Sequence, residues 1–521
     1  MWFISRRPGK RSRDHARAHR FVPQLEILEN RALLSTLTVL NTFDSGAGSL
    51  RDTIAAAKSG DTIMFAPSLN GQTITLTSDQ LTINKSLNIE GPGAGLLTIS
   101  GNDSNRIFDV SQGLVVTIAG LTLSHGRAQT AGGGGNENGG GGGAILNASS
   151  TLALADDVLS FNEATLKGGG ISNLPGSALT ATNSTFIDNR AIGKATDPSV
   201  NAEGGAIWNA EHGVTATVIG CTFTGNQAIG ADGGVIQVGP GEIGAANGGA
   251  IHNEGQGGQA DTLVVENSTF TNNQAIGGNG GNGGKSAGVL IVGIASGGGI
   301  ANDDGGSLVV SGCTFSDNQS LGGSNASAAA ASGSGRIGLA FGGGLATEGP
   351  TTVTNSTFDH NEALGGSNNT GGSGTLVIGR GAGGGIDSFS FTIPVILNVS
   401  NCSFTGNQAL GGAGNRGGIS VGVGVGGGLE NERVAMATVT NSTFTGNKAI
   451  GGAGAAGGDG TDGLGGGLAN LWGAALTLSN CVLTDNQALG GAGGAGGNGG
   501  NGFGGALFND GLSIFPDNAG T

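Results

Sequence analysis

Two short patterns of apolar and polar positions alternate along the chain. The first is Phe-x-x-Asn, as in Phe186-Ile-Asp-Asn189 and Phe223-Thr-Gly-Asn226. It recurs at Phe270 and Asn273, Phe315 and Asn318, Phe358 and Asn361, Phe404 and Asn407, and Phe444 and Asn447, with Leu in place of Phe before Asn162 and Asn486. The second is Gly-Gly-(Ala/Gly)-(Ile/Leu)-x-Asn, which falls between copies of the first from Gly142–Asn147 to Gly504–Asn509. Thr347 and Ser388 replace its last Asn in two copies. Around each Phe the alternation has period two. In Asn183-Ser-Thr-Phe186, Ser184 and Phe186 share one face of a strand, Asn183 and Thr185 the other.

The spacing sets the size of one unit. Asn162 and Asn189 are 27 residues apart, and later steps between these asparagines run from 37 to 47. A unit of roughly 25 residues suits one coil of three strands of about 4–6 residues each. The longer steps add Gly-rich inserts at one place, after Asn-x-Ala and before the next Gly-Gly. The pattern predicts an all-β, single-domain, right-handed parallel β-helix of about 13–15 coils, roughly 65 Å long at about 4.8 Å per coil. Its inserts are expected to be mobile and gathered along one edge. Stacking would place Phe186, Phe223, Phe270, Phe315, Phe358, Phe404 and Phe444 in one inward ladder. Asn189, Asn226, Asn273, Asn318, Asn361, Asn407, Asn447 and Asn486 would form a second ladder, each amide bonding the next. The residue before most of these asparagines is Asp, Asn or Gly, which tolerate the positive φ of a tight corner.

Composition agrees with a repetitive fold. Gly supplies 111 residues and charged residues 11%, yet hydrophobic residues reach 37%, too many and too regular for disorder. Cys221, Cys313, Cys402 and Cys481 share one repeat position with Ser268, Ser356 and Ser442. Two coils apart, about 9.5 Å, they lie beyond disulfide reach and should be small buried fillers. The net charge of −15 is uneven. Residues 1–35 carry eight Lys/Arg against three acids, so the remainder is at −20. Such an acidic body repels phosphate backbones, which argues against nucleic acid as a partner. No run is apolar enough to span a bilayer. The organisation expected is a basic leader over 1–35, a cap and first coils over 36–140, the repeat helix over 141–510 and a tail over 511–521, in a monomer.

The alternating Gly-Gly-Ala-Ile and Phe-x-x-Asn motifs resemble the repeats of polymorphic outer membrane proteins, carried on a pectate-lyase-like β-helix. The resemblance spans about residues 140–510 and implies a surface-exposed, adhesion-type protein. Upstream, Gly48-Ser-Leu-Arg-Asp-Thr-Ile54 and Gly60-Asp-Thr-Ile-Met-Phe65 resemble the opening segment of bacterial extracellular β-helix proteins. Ser49–Ala57 reads as a short amphipathic helix capped by Ser49, which would cover the open end of the first coil. Leu28-Glu-Asn-Arg-Ala-Leu-Leu-Ser35 is similar to the Leu-Glu-Pro-Arg-x-Leu-Leu motif of planctomycete surface proteins, with Asn30 in place of Pro, and implies export. The localisation expected is therefore extracellular or cell-surface.

Candidate chemistry is sparse along the sequence. Asp156-Asp157 and Asp303-Asp304 are the densest acids, but neighbours on a strand face opposite ways, and Glu211 and Glu254 are the few acids at matching positions. Gly457-Gly-Asp-Gly-Thr-Asp-Gly-Leu464 matches a single calcium nonapeptide, making Asp459 and Asp462 weak Ca²⁺ ligands. Leu146, Trp208, His252, Glu430 and Phe508 occupy a variable slot expected to face solvent. The histidines have no partner at metal-ligand spacing. Asn183, Asn267, Asn355 and Asn441 begin Asn-x-Thr sequons on what read as strands. The reading is a non-catalytic adhesion or envelope protein with no catalytic residue, no metal site and no cofactor beyond that Ca²⁺ candidate. Its ligand would be a polysaccharide or another envelope protein. The alternative is a polysaccharide lyase or glycoside hydrolase, which a groove of convergent carboxylates from adjacent coils would favour.

Overall fold

A computed structural model describes residues 34–129, 141–195, 197–236, 241–255, 261–284, 289–328, 335–372 and 377–510. The leader (apart from Leu34 and Ser35) and the tail lie outside these residues. The described chain is a parallel β-helix: every strand pairing is parallel, and each coil lies in register on the next. The helix Leu50–Ala56 stands before the coils, with Ser49 accepting from the Asp52 N–H at 3.2 Å and Leu50 and Ile54 buried. Lys85 closes its other end, donating to the carbonyls of Ile54, Ala55 and Ala57.

Three faces wind around one core. The Gly-Gly repeats lie in a 23-stranded sheet, the Phe repeats in a 12-stranded sheet, and the Gln-Ala-Ile segments that follow each Phe-x-x-Asn in a 10-stranded sheet. The Phe rings from Phe186 to Phe444 stack with centroids 4.4–4.9 Å apart and planes within 5°. All seven are fully buried. From Asn162 to Asn447 each Nδ2 donates to the next Oδ1 at 2.9 Å and also to a carbonyl one coil back, as Asn226 does to Phe186. Paired amides satisfy donors that would otherwise be costly to bury. A second asparagine ladder runs along the Gly-Gly sheet through Asn147, Asn173, Asn209, Asn253 and Asn302.

The corners explain the small residues. Asp188, Asn272, Asp317 and His360 precede the ladder asparagines with φ between 50° and 55°. The sequon residues Asn183, Asn267, Asn355 and Asn441 also have positive φ, 48–52°, so they are exposed corners rather than the strand residues expected. The Gly-Gly pair serves both needs: Gly248 has φ 67°, and a β-carbon on Gly249 would run into the Gly298 carbonyl of the next coil.

The four cysteines are free, three of them buried, in a column shared with serines. The Cys221 N–H donates to Ser268 Oγ at 3.1 Å, and Asp157 heads the column. Asp157 is therefore not a solvated surface acid. Its oxygens accept from the N–H groups of Leu121 at 2.8 Å and Ala155 at 3.2 Å, and it is 1% exposed; Asp156 is the exposed corner. Burial pushes the Asp157 carboxyl up to about 7. An acid whose folded value is raised loses stability as pH climbs from about 4 through that value. Asp157→Ser would restore the column's common hydroxyl. Urea midpoints should find this variant about 1–3 kcal/mol more stable than wild type at pH 8 and no better near pH 4. A variant less stable than wild type at pH 8 would mean the carboxylate is stabilising.

The inserts depart from the loose edge expected. They add an 8-stranded sheet from Ala202–Glu203 to Gly502–Phe503 and a 5-stranded sheet from Gly241–Ile243 to Ser420–Val421. Their glycines let backbones stack coil on coil: the N–H of Gly278 donates to Gly244 O, Gly323 to Gly293 O and Gly366 to Gly338 O, each at 2.7 Å. This layer lies over part of the Gly-Gly sheet.

Candidate functional site: an acidic cleft under the insert layer

Each Gly-Gly strand continues Ile-x-Asn-x. The Ile and Asn point inward, so the two x positions point outward. Register stacks the first of these as Trp208, His252, Ala301, Ala346, Asp387, Glu430, Ala469 and Phe508. The second stacks Ala210, Glu254 and Asp303, with Glu348 next in the column, then Phe389 and Glu432. The first slot was expected to face solvent, but Trp208, His252 and Glu430 are at most 1% exposed because the inserts cover them. The second column escapes a reading of the sequence that follows only the first slot; the signal is an acid two residues beyond it in five of the coils.

Between residues 201 and 389 the cover leaves an open cavity of about 270 Å³ between the two layers. From the Gly-Gly sheet it receives His252, Glu254, Asp303, Asp304 and Glu348, and from the inserts Glu203, Glu242 and Arg336. Phe341 and Phe389, stacked at 4.7 Å, form part of its apolar wall. The expectation of no convergent carboxylates fails here because spacing along one strand says nothing of what the next coil and its insert supply. Asp303 and Asp304 converge not with each other alone but with Glu254 one coil before and Glu348 one coil after. Glu211 stands apart, paired with Lys167 at 3.3 Å.

At the centre is His252, whose Nε2 lies 3.0 Å from Asp303 Oδ2 and whose Nδ1 lies 3.5 Å from Glu203 Oε2. It therefore has close acidic partners, contrary to the expectation for the histidines. Trp208 Nε1 donates to Glu203 at 2.8 Å, and Lys167 sits 4.4 Å over the Trp208 ring and 3.9 Å from the same carboxylate. Burial opposes charge on both His252 and Glu203. Their mutual attraction outweighs it, with Asp303 aiding the histidine and Lys167 and Trp208 the glutamate, so His252 stays well above its ordinary value and Glu203 below its own. The other carboxyls go the opposite way. Burial lifts Glu254 to about 8 against the pull of His252, and Glu242 to about 7. Burial, then Asp303 and Asp304, raises Glu348 well above the carboxylate range. Raised and lowered carboxyls thus stand side by side in the cavity, which is the arrangement that acid–base chemistry uses.

Further along the same face lies a sealed cluster. Arg380 bonds Glu430 and lies 2.8 Å from Glu432, beneath Trp472, whose ring is 4.9 Å from its guanidinium. Asp387 is fully buried beside them; burial and then Glu432 raise its carboxyl well above the usual range. The calcium candidates lie elsewhere, on the surface of the inserts. Asp459 accepts from the Asn498 N–H and Asp462 from the Asn501 N–H, each at 2.7 Å one coil on, so the two carboxylates cross-link inserts.

No protein-family model matches the chain, and no curated protein matches it. Among solved structures, the catalytic unit of a thermostable GH87 α-1,3-glucanase from Streptomyces thermodiastaticus aligns at 12% identity over 86% of this chain and 68% of that one, with a TM-score of 0.33. A PL6-family polysaccharide lyase from Pseudopedobacter saltans aligns at 11% identity over 86% and 93%, with a TM-score of 0.32. Tailspike protein 3 of bacteriophage CBA120 aligns at 10% identity over 76% of this chain, which spans 54% of the tailspike, with a TM-score of 0.28. At these identities and scores the likenesses carry nothing about activity or ligand. Among the described residues no helix is long and apolar enough to cross a membrane.

Proposed function

We propose that the chain is a secreted or cell-surface β-helix protein that binds a glycan in the acidic cleft. The observation that carries this reading is the convergence of carboxyls from three successive coils and their inserts on one open cavity with an apolar wall. Carboxyls accept and donate hydrogen bonds to sugar hydroxyls, and phenyl groups offer sugar rings an apolar surface. The excess of acids over Arg336 and His252 disfavours an anionic polymer such as a polyuronate. A neutral or amino-sugar glycan fits better, so a lyase acting on uronates is the weaker form of the enzyme alternative. The surface location rests on the leader motif and on the resemblance of the repeats.

One observation favours turnover as a second reading. Burial pushes the carboxyls of Glu348 and Glu242 upward in the same cavity in which Glu203 lies below its ordinary value, the split a glycoside hydrolase requires of its acid and its partner carboxylate. Both readings are tested on the full chain with soluble neutral, amino-sugar and uronate polymers, following binding by calorimetry and new reducing ends by colorimetry. Binding of a neutral or amino-sugar polymer is expected, weakened about tenfold or more by Asp304→Asn with Glu348→Gln. New reducing ends lost in Glu348→Gln would make the protein a hydrolase, and binding without them an adhesin. Binding that survives the double variant would remove the cleft from the function.

A further inference from the structure

We propose that Glu203, His252 and Glu254 form a site for a divalent transition-metal ion of the zinc type on the floor of the cleft. The inference stands whether or not the cleft takes a glycan. One donor atom from each residue lies within 4.8 Å of the other two. Two elements bring them together: the insert strand Ala202–Glu203 supplies one, and the Gly-Gly strand Ile251–Glu254 supplies the others on its two outward positions.

The orientation of His252 carries the argument. Nε2 lies 3.0 Å from Asp303 Oδ2, and a carboxylate is an acceptor only, so that ring nitrogen holds the proton. A divalent ion binding there displaces the Nδ1 proton of the charged ring to solvent, and the Nδ1 lone pair then faces the ion beside Glu203, itself an acceptor. Nδ1 is buried and makes no hydrogen bond, in a residue 1% exposed. Its separation of 3.5 Å from Glu203 Oε2 is too long for a hydrogen bond. It is the separation of two ligands each about 2.05 Å from a common ion at an angle near 117°, close to tetrahedral. A histidine whose second ring nitrogen donates to a carboxylate is the arrangement that fixes the tautomer and raises the basicity of metal-ligating imidazoles. Asp303 is accordingly a positioning residue.

Glu203 is fixed in the same way, Trp208 Nε1 holding its Oε2 at 2.8 Å. Glu254, the third donor, is only partly buried. One imidazole and two carboxylates suit zinc, and also cobalt or manganese, better than the oxygen-only coordination calcium prefers. Three protein ligands beside an open cavity leave at least one position for water or a substrate oxygen.

The full chain, stripped with a chelator, is titrated with Zn²⁺ by calorimetry and with Co²⁺ by visible absorption. One ion per chain and a visible d–d spectrum are expected, with uptake lost in His252→Ala and in the closer-fitting His252→Gln. Asp303→Asn should keep the stoichiometry and weaken binding about 10–100-fold. Asp459→Asn with Asp462→Asn in the inserts should change nothing. Proton NMR of the Co²⁺-loaded wild type needs no variant: a single hyperfine-shifted, exchangeable imidazole N–H is expected, from Nε2 held by Asp303. Absence of equimolar uptake by the wild type, uptake unchanged by both His252 variants, or no shifted imidazole N–H would each overturn the site.

Discussion

Phe315→Ala should lower stability by about 3–5 kcal/mol in urea unfolding followed by circular dichroism. Phe315 is fully buried, with the rings of Phe270 and Phe358 at 4.7 and 4.8 Å on either side and nearly parallel. Truncation removes two stacking contacts and opens a cavity that cannot collapse. Each coil is pinned to its neighbours by the asparagine ladder, and the ring's space is bounded by Gly299, where a side chain could otherwise fold in. Because each coil contacts only its neighbours, the loss also weakens coupling between the two halves of the stack. A broadened or two-step transition is therefore expected alongside the lower midpoint. Val309, on the outer face of the same coil and 38% exposed, gives the control: Val309→Thr should shift stability by less than about 0.5 kcal/mol. Equal effects from the two substitutions would mean that the Phe column is not the axis of the core.

The same columns explain how much of the molecule is legible along the chain. Where one residue type must recur at one place, as Phe186 to Phe444 and Asn162 to Asn486 do, the repeat announces both the coil and its inward face. Phe is needed seven times over because each ring packs on the previous one. His252, Glu254, Asp303 and Glu348 follow no such rule. His252 occurs once in its column, and the acids of the next column form a run broken by Ala210 and Phe389, so the period marks them only weakly, and their closeness depends on coils 44–51 residues apart in sequence. The inserts hide them further. A run such as Gly277–Gly284 has no hydrophobic period from which to predict a strand. Yet its backbone pairs with the inserts before and after it, Gly278 N–H with Gly244 O and Gly283 N–H with Ser327 O. Alternation can assign a side chain to the outward face of a strand; it cannot say that the outward face is covered.

The sealed cluster at Arg380 follows from that covered face and sets the second large expected effect. Arg380→Met should destabilise the protein by about 3–5 kcal/mol at neutral pH. Its guanidinium, 3% exposed, neutralises Glu430 and Glu432, which are 0% and 2% exposed and cannot reach water. Methionine fills most of the volume, so the loss is one of charge rather than of packing. Two ionisable carboxyls would be left with Asp387 in the same enclosure, the part-exposed Arg433 at 3.7 Å from Glu432 being the remaining cation, and desolvation of the unpaired Glu430 charge exceeds what its ion pair contributes when intact. Repair should therefore come from removing the charges, not from restoring the cation. Glu430→Gln with Glu432→Gln in the Arg380→Met background is expected to recover most of the lost stability, although each change alone in the wild type strands part of the arginine's charge. Thermal and urea unfolding of the single, double and triple variants measure this as a coupling energy. If the triple variant is as unstable as Arg380→Met, the arginine acts through its packing beneath Trp472, and the cluster is held by shape instead of charge.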